Sequence, residues 1–224
     1  MPGARLSIVF DLDGTLLDVS SRHHLVYDDL VRSLGGKPLD KERYWRLKRS
    51  MATWTEILGL SDVASQATPG FLERFSEDIE KEDRLAWDVI VPSAEEVLDS
   101  LSQEHDLYLV SLRRSAVALG LQLEALGLKR RFREIVSAAG SRDAHQQKAG
   151  LVRTLVGDRR GVMVGDTEAD VLAARALGMR SVAVMSGIRD RERLAQFDPD
   201  FLVSDVGALP RIVEAMSADA GPSA

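Results

Sequence analysis

From about Pro92 to the C-terminus, short runs of β-branched and aliphatic residues alternate with helical stretches, and this alternation restricts the fold more than any other feature of the chain. The stretch "SAEEVLDSLSQE" leads into "LYLVSL", "SAVALGLQLEAL" into "EIVSA", "QQKAGLVRTLVG" into "GVMVGD" and "EADVLAARALG" into "SVAVM"; "FLVSD" and a last helix, "VGALPRIVEAM", follow. Apolar runs this short, separated by helices, are buried on both faces and lie parallel. They predict an α/β fold, a doubly wound Rossmann-like parallel sheet. The N-terminal run "LSIVF" has the same character and joins that sheet as its first strand.

The chain between residues 20 and 87 follows a different pattern. "SRHHLVYDDLVRSLGG" sets Leu25, Val26, Leu30, Val31 and Leu34 on one helical face and ends in a glycine pair, and further helices are expected over Lys41–Gly59 and Pro69–Asp83. This block is an all-helical insertion after the first strand. With 224 residues, 45% of them hydrophobic, the chain can bury a core and an inserted unit. The expected division is an α/β core of residues 1–19 and 88–216, a helical cap of residues 20–87 and a disordered tail of residues 217–224.

In a doubly wound sheet, ligands bind beyond the carboxyl ends of the strands. Asp11 and Asp13 follow "SIVF", Ser111 ends "LYLV", and Gly165 and Asp166 end "GVMV", with Asp170 a helical turn later. Lys148 lies near the head of an intervening helix. Four carboxylates, a hydroxyl and an ammonium from distant parts of the chain therefore meet at one sheet edge. Such crowding of like charge needs a cation or another partner for the negative charge, unless the Asp11–Asp13 pair is only a turn.

Composition narrows the chemistry. There is no cysteine, which removes thiol nucleophiles, cysteine-ligated zinc and disulfides. A net charge of −6 gives no general attraction to nucleic acid or anionic membrane, and no apolar run approaches a membrane span. Neither a GxxxxGK[ST] loop nor a GxGxxG turn is present. A soluble cytoplasmic protein is expected, without nucleic-acid or membrane partners, as a monomer or homodimer.

"DLDGT" (Asp11 to Thr15), the strand-end Ser111, Lys148 and "GDTEAD" (Gly165 to Asp170) resemble, in order and spacing, the four motifs of the haloacid dehalogenase superfamily. The position of the helical insertion is similar to that of the phosphoglycolate phosphatase and β-phosphoglucomutase branch. The resemblance implies a Mg²⁺-dependent phosphatase acting on a small phosphate ester, with Asp11 as nucleophile and Asp13 as general acid and base. It implies a metal held by the Asp11 carboxylate, the Asp13 backbone carbonyl and Asp166. Ser111 and Lys148 would bind the phosphoryl group, Asp170 would orient Lys148 or a metal-bound water, and Gly14, Thr15, Leu112 and Arg113 would surround the substrate, with Thr15 positioning Asp13 and Gly14 supplying a tight turn.

Alternatives remain open at this level. A phosphomutase would use the same motifs, and a catalytically silent phosphate-binding module would be expected to have lost one of them. A dehalogenase would need neither Asp13 nor Asp166. "SLRRS" departs from the family pattern by placing Arg113 and Arg114 after the hydroxyl, either to bind a second anionic group or as surface residues. Arg22, His23, His24 and the segment Tyr44 to Arg49 are given no role.

Overall fold

The computed structural model describes residues 5–140, 143–157 and 161–219. Its main sheet contains β1 (Ser7–Phe10), β4 (Asp106–Ser111), β5 (Glu134–Ser137), β6 (Gly161–Gly165), β7 (Arg180–Val184) and β8 (Phe201–Val203), in the order β5-β4-β1-β6-β7-β8. All of its neighbours pair in parallel. The two remaining strands, β2 (Leu17–Asp18) and β3 (Val89–Ile90), form a separate antiparallel ribbon.

Side chains alternate across the sheet, as the pleat requires. Ile8 and Phe10 of β1, Leu107 and Leu109 of β4, and Val162 and Val164 of β6 enter one apolar cluster. Val9, Tyr108, Val110 and Met163 enter another on the opposite face. The first cluster is closed by α6 (Ala94–Glu104), α7 (Ala116–Ala125) and α11 (Leu209–Asp219), the second by α8 (Ala144–Val156) and α9 (Glu168–Ala176). Both faces are thus covered, which is why the strands read as unbroken apolar runs.

The chain leaves β1 toward β4 on one side and leaves its neighbour β6 toward β7 on the other, so the connections diverge between β1 and β6 and open a crevice at their carboxyl ends. The ribbon sits at that end. β2 carries the chain out into α1 (Ser20–Ser33), and β3 brings it back. Val26, Tyr27, Leu30, Tyr44, Ile57, Leu58, Phe71 and Phe75 build an apolar cluster of their own within the inserted segment.

The insertion is more broken than its periodicity suggests. Lys41–Gly59 divides into α2 (Lys41–Arg49) and α3 (Trp54–Gly59), because Met51 takes a positive φ of 62° and Thr53 starts a new helix through reciprocal hydrogen bonds with Glu56. Pro69–Asp83 likewise divides into α4 (Thr68–Asp78) and α5 (Glu82–Leu85). Leu34, assigned to the buried face, caps α1 and is exposed. At the other terminus α11 extends to Asp219, so the tail predicted from residue 217 begins as helix; residues 220–224 lie outside the described residues. Among the described residues no helix is long and apolar enough to cross a membrane, and α10 (Arg191–Ala195) completes the helices.

Candidate active site

Asp11 is the first residue past β1, and its backbone N–H donates to the Val164 carbonyl, which continues the β1–β6 pairing by one step. Its carboxylate is buried and accepts a hydrogen bond from Lys148 Nζ at 2.8 Å. The same ammonium, itself buried, donates to Asp170 Oδ1 at 2.5 Å. Asp170 in turn accepts from the Thr167 N–H at 3.1 Å and the Thr167 hydroxyl at 2.7 Å, which caps α9 and fixes the carboxylate.

Asp166, one residue past β6, is fully buried; its Oδ2 accepts from the Ile188 N–H at 2.5 Å. Its Oδ1 is buried without a hydrogen-bond partner. Carboxylate oxygens of Asp11, Asp166 and Asp170 all lie within 4.8 Å of one another. Such a set is unfavourable on its own. Burial pushes the Asp11 carboxyl from its ordinary 3.8 up to about 7, outweighing the Lys148 ammonium, and Asp170 adds to the rise. Burial, then Asp11 and Asp170, holds Asp166 well above the usual range. Lys148 is pushed upward because the two carboxylates outweigh burial.

A hard divalent cation fits this donor set: an orphaned buried carboxylate oxygen and a neighbouring carboxylate provide the oxygen ligands Mg²⁺ prefers. Three glycines make the space. A Cβ on Gly14, whose φ is +83°, or on Gly187 would overlap the Asp166 carboxylate, and one on Gly165 would overlap Asp170. Gly14→Ala is therefore expected to lose about 1–2 kcal/mol from the left-handed backbone alone, with a further loss from displaced Asp166. A melting temperature equal to that of the parent protein would contradict this packing.

Asp13 stands apart from the carboxylate cluster. Its Oδ1 accepts from Arg22 Nη2 at 2.5 Å and Arg113 Nη2 at 2.6 Å, and its Oδ2 accepts from Arg113 Nε at 2.8 Å. Burial alone would raise this carboxyl, yet the two guanidiniums hold it below the usual carboxylate range. Asp11, Asp13, Ser111, Leu112, Arg113 and Lys148 line one cavity of about 250 Å³, together with Arg22, His23, Phe75 and Glu80 from the insertion.

A family model for haloacid dehalogenase-like hydrolases matches residues 7–178. The chain belongs to this family. The hydrolase is 29% identical over 219 residues to a phosphoglycolate phosphatase of Agrobacterium fabrum, covering 90% of this chain and 89% of the relative. It is 27% identical over 220 residues to pyrophosphatase PpaX of Bacillus pumilus, covering 93% and 96%. Its fold is that of a solved haloacid dehalogenase-like hydrolase from Streptococcus pneumoniae, with a TM-score of 0.73 at 20% identity, covering 93% of this chain and 98% of that one.

Asp11 and Asp166, the two side chains expected at the metal, lie together with the Asp170 carboxylate beside them, and the Asp13 carboxylate, which was expected at the leaving group, is paired with Arg22 and Arg113. Asp170 also holds Lys148, the contact expected of it. Thr15 does not position Asp13 by a hydrogen bond: its Oγ1 is buried without a partner, and Arg22 and Arg113 do the positioning. Gly14 and Thr15 do not line the cavity; Gly14 instead makes room for Asp166. Ser111 does line it, with its Oγ accepting the Arg113 N–H at 3.3 Å.

The adjacent arginines separate in role. Arg113 is buried at the cavity, while Arg114 reaches the Ser76 carbonyl, and the Arg114 N–H donates to Glu80 at 3.0 Å, so the end of β4 is tied to the insertion. Arg22, Asp88, Gln122, Gly187 and Ile188 were not predicted. Arg22 was visible only as a basic residue after the first motif, and nothing in the local pattern singles out the other four.

Proposed function

We propose that this hydrolase is a Mg²⁺-dependent phosphatase that releases phosphate from a small phosphorylated metabolite through a phosphoryl group carried on Asp11. The observation that carries the reading is the meeting of Asp11, Asp166 and Asp170 within 4.8 Å, beside a buried Lys148 and at the wall of a small cavity. The activities named for the two relatives, on phosphoglycolate and on pyrophosphate, fit a site that handles phosphoryl groups.

Asp11 and Asp166 would hold Mg²⁺, which when bound supplies charge neutralisation for the incoming phosphate. Asp11 Oδ forms a bond to phosphorus as the ester P–O bond breaks, and the leaving oxygen takes a proton from Asp13. Water then attacks the same phosphorus and gives a proton to Asp13, so phosphate leaves with both carboxyls restored. Lys148 and Ser111 are positioned to balance charge on the phosphoryl oxygens, as a preorganised site requires. For Asp13 to carry a proton, the guanidiniums must release it.

The metal role can be tested without turnover. Burial raises Asp11 to about 7 and holds Asp166 well above the usual range, so the stability they contribute is present below 3.8 and is lost as pH rises through their folded values, about 7 for Asp11. Bound Mg²⁺ requires the deprotonated carboxylates. The rise in melting temperature on adding Mg²⁺ is therefore expected to be small near about pH 5.5 and large near about pH 8. A pH-independent shift, or none, would count against the metal site, as would phosphate release that survives EDTA.

A further inference from the structure

Between β7 and α10 the chain makes a short bend, Met185 to Asp190, that runs against the Asp166 carboxylate. Gly187 lies so close to Asp166 that no Cβ fits between them, and the Ile188 N–H donates to Asp166 Oδ2 at 2.5 Å. The other oxygen, Oδ1, has no hydrogen-bond partner. The orientation of this carboxylate therefore depends on where the bend places one backbone N–H. The core anchors the bend at three points: the Met185 N–H donates to the Val203 carbonyl at 2.9 Å, the Ser186 hydroxyl donates to the Gly14 carbonyl at 3.2 Å, and the Arg189 guanidinium pairs with Glu168 at 2.8 Å.

The mouth of the bend is closed from the insertion. Arg49, the last residue of α2, donates through Nη2 to the Met185 carbonyl at 2.5 Å and to the Arg189 carbonyl at 3.2 Å, so one guanidinium nitrogen joins the two ends of the bend. The Arg49 carbonyl, left free where the helix stops, accepts from the Asp190 N–H at 3.4 Å. Between the two stapled carbonyls lie Ser186, Gly187 and Ile188, the residues that touch Gly14 and Asp166. Arg49 itself lies outside the catalytic cavity and lines a separate cleft with Lys41, Trp45 and Asp190. Because α2 belongs to the insertion and Asp166 to the sheet, this contact makes the geometry at Asp166 depend on how the insertion is seated.

We propose that Arg49 is a positioning residue for the metal site: by closing the bend it holds the Ile188 N–H on Asp166 Oδ2, leaves Oδ1 turned to the cation, and couples Mg²⁺ binding to seating of the insertion on the core. This rests on the metal part of the phosphatase reading. A group that fixes a metal-binding carboxylate without touching the ion tunes affinity, because a carboxylate free to rotate must be ordered when the ion binds. The coupling is reciprocal, so bound Mg²⁺ favours the seated insertion by the same factor that seating favours Mg²⁺.

The test titrates Mg²⁺ alone into the parent protein and into Arg49→Met by calorimetry at about pH 8, where the carboxylates are available as ligands. Arg49→Met is expected to raise the Mg²⁺ dissociation constant by about 10–100-fold, and Arg49→Lys, which keeps the charge but not the planar head, should fall between. The sign is diagnostic, since removing a positive charge near a cation site would by Coulomb attraction alone tighten binding. Arg46→Met, which takes the same charge from an exposed position on the same helix, should leave the constant unchanged. An unchanged or lower dissociation constant in folded Arg49→Met overturns the inference. If that variant does not fold, the parent protein decides it: bound Mg²⁺ should slow hydrogen exchange of the Asp190 N–H, measured by NMR, and unchanged exchange overturns it. Absence of Mg²⁺ binding by the parent protein removes the metal reading itself, and this inference with it.

Discussion

Asp11→Asn is expected to abolish phosphate release, by about 10⁴-fold or more given what loss of a nucleophile costs other covalent enzymes, while the protein stays folded. The fold survives because asparagine removes one negative charge from three crowded carboxylates, where burial and then the charge of Asp170 already hold Asp11 up at about 7. Lys148 keeps its 2.5 Å partner in Asp170, so no buried charge is left alone. Circular dichroism and the melting temperature should match the parent protein or exceed it in the absence of Mg²⁺. Turnover within about tenfold of the parent would exclude Asp11 as the group that attacks phosphorus.

The opposite pattern is expected for Lys148→Met, where stability suffers first. The ammonium is buried between Asp11 and Asp170, and removing it leaves their charges, with that of Asp166, uncompensated. Breaking a buried ion pair from one side costs about 3–5 kcal/mol, which for a chain of this size lowers the melting temperature by roughly 6–20 °C. The loss should deepen from about pH 5 to about pH 8, because the remaining carboxylates are pushed further up and must ionise against that shift. Added Mg²⁺ should recover part of it. A melting temperature within about 2 °C of the parent, insensitive to pH, would show that these carboxylates are not held together as charges.

The legible part of the site was the part attached to strand ends. Asp11, Ser111 and Asp166 follow apolar runs, and in a doubly wound sheet that alone brings them to one edge. Lys148 and Asp170 could be matched only by spacing, but each lies about one turn into a helix whose start is fixed by its strand. Arg113 is legible from its place after Ser111, but the network that joins it to Arg22 and Asp88 is hidden for a physical reason. Asp88 acquires its partners from Arg22, Arg113 and Gln122, which lie far away in the chain, and an acid ahead of a two-residue strand carries no periodic signal.

The same limit applies to the fold. The six parallel strands are continuous enough to read, whereas β2 and β3 are two residues each and exist because they pair with one another where the chain leaves and re-enters the sheet. The breaks in the insertion are local but turn on a single residue, Met51 in a left-handed conformation, that composition does not mark. Gly14, Gly165 and Gly187 illustrate a third case. Gly14 was read as a turn residue, yet all three exist to admit carboxylates, which only the assembled core reveals.

Whether Asp11 takes up the phosphoryl group can be read by peptide mapping of acid-quenched protein after brief exposure to a phosphate ester and Mg²⁺. A phosphoryl mass increment is expected on the peptide containing Asp11, dependent on Mg²⁺ and absent from Asp11→Asn. Phosphate release with the increment on another peptide, or undiminished release by Asp11→Asn, would contradict it.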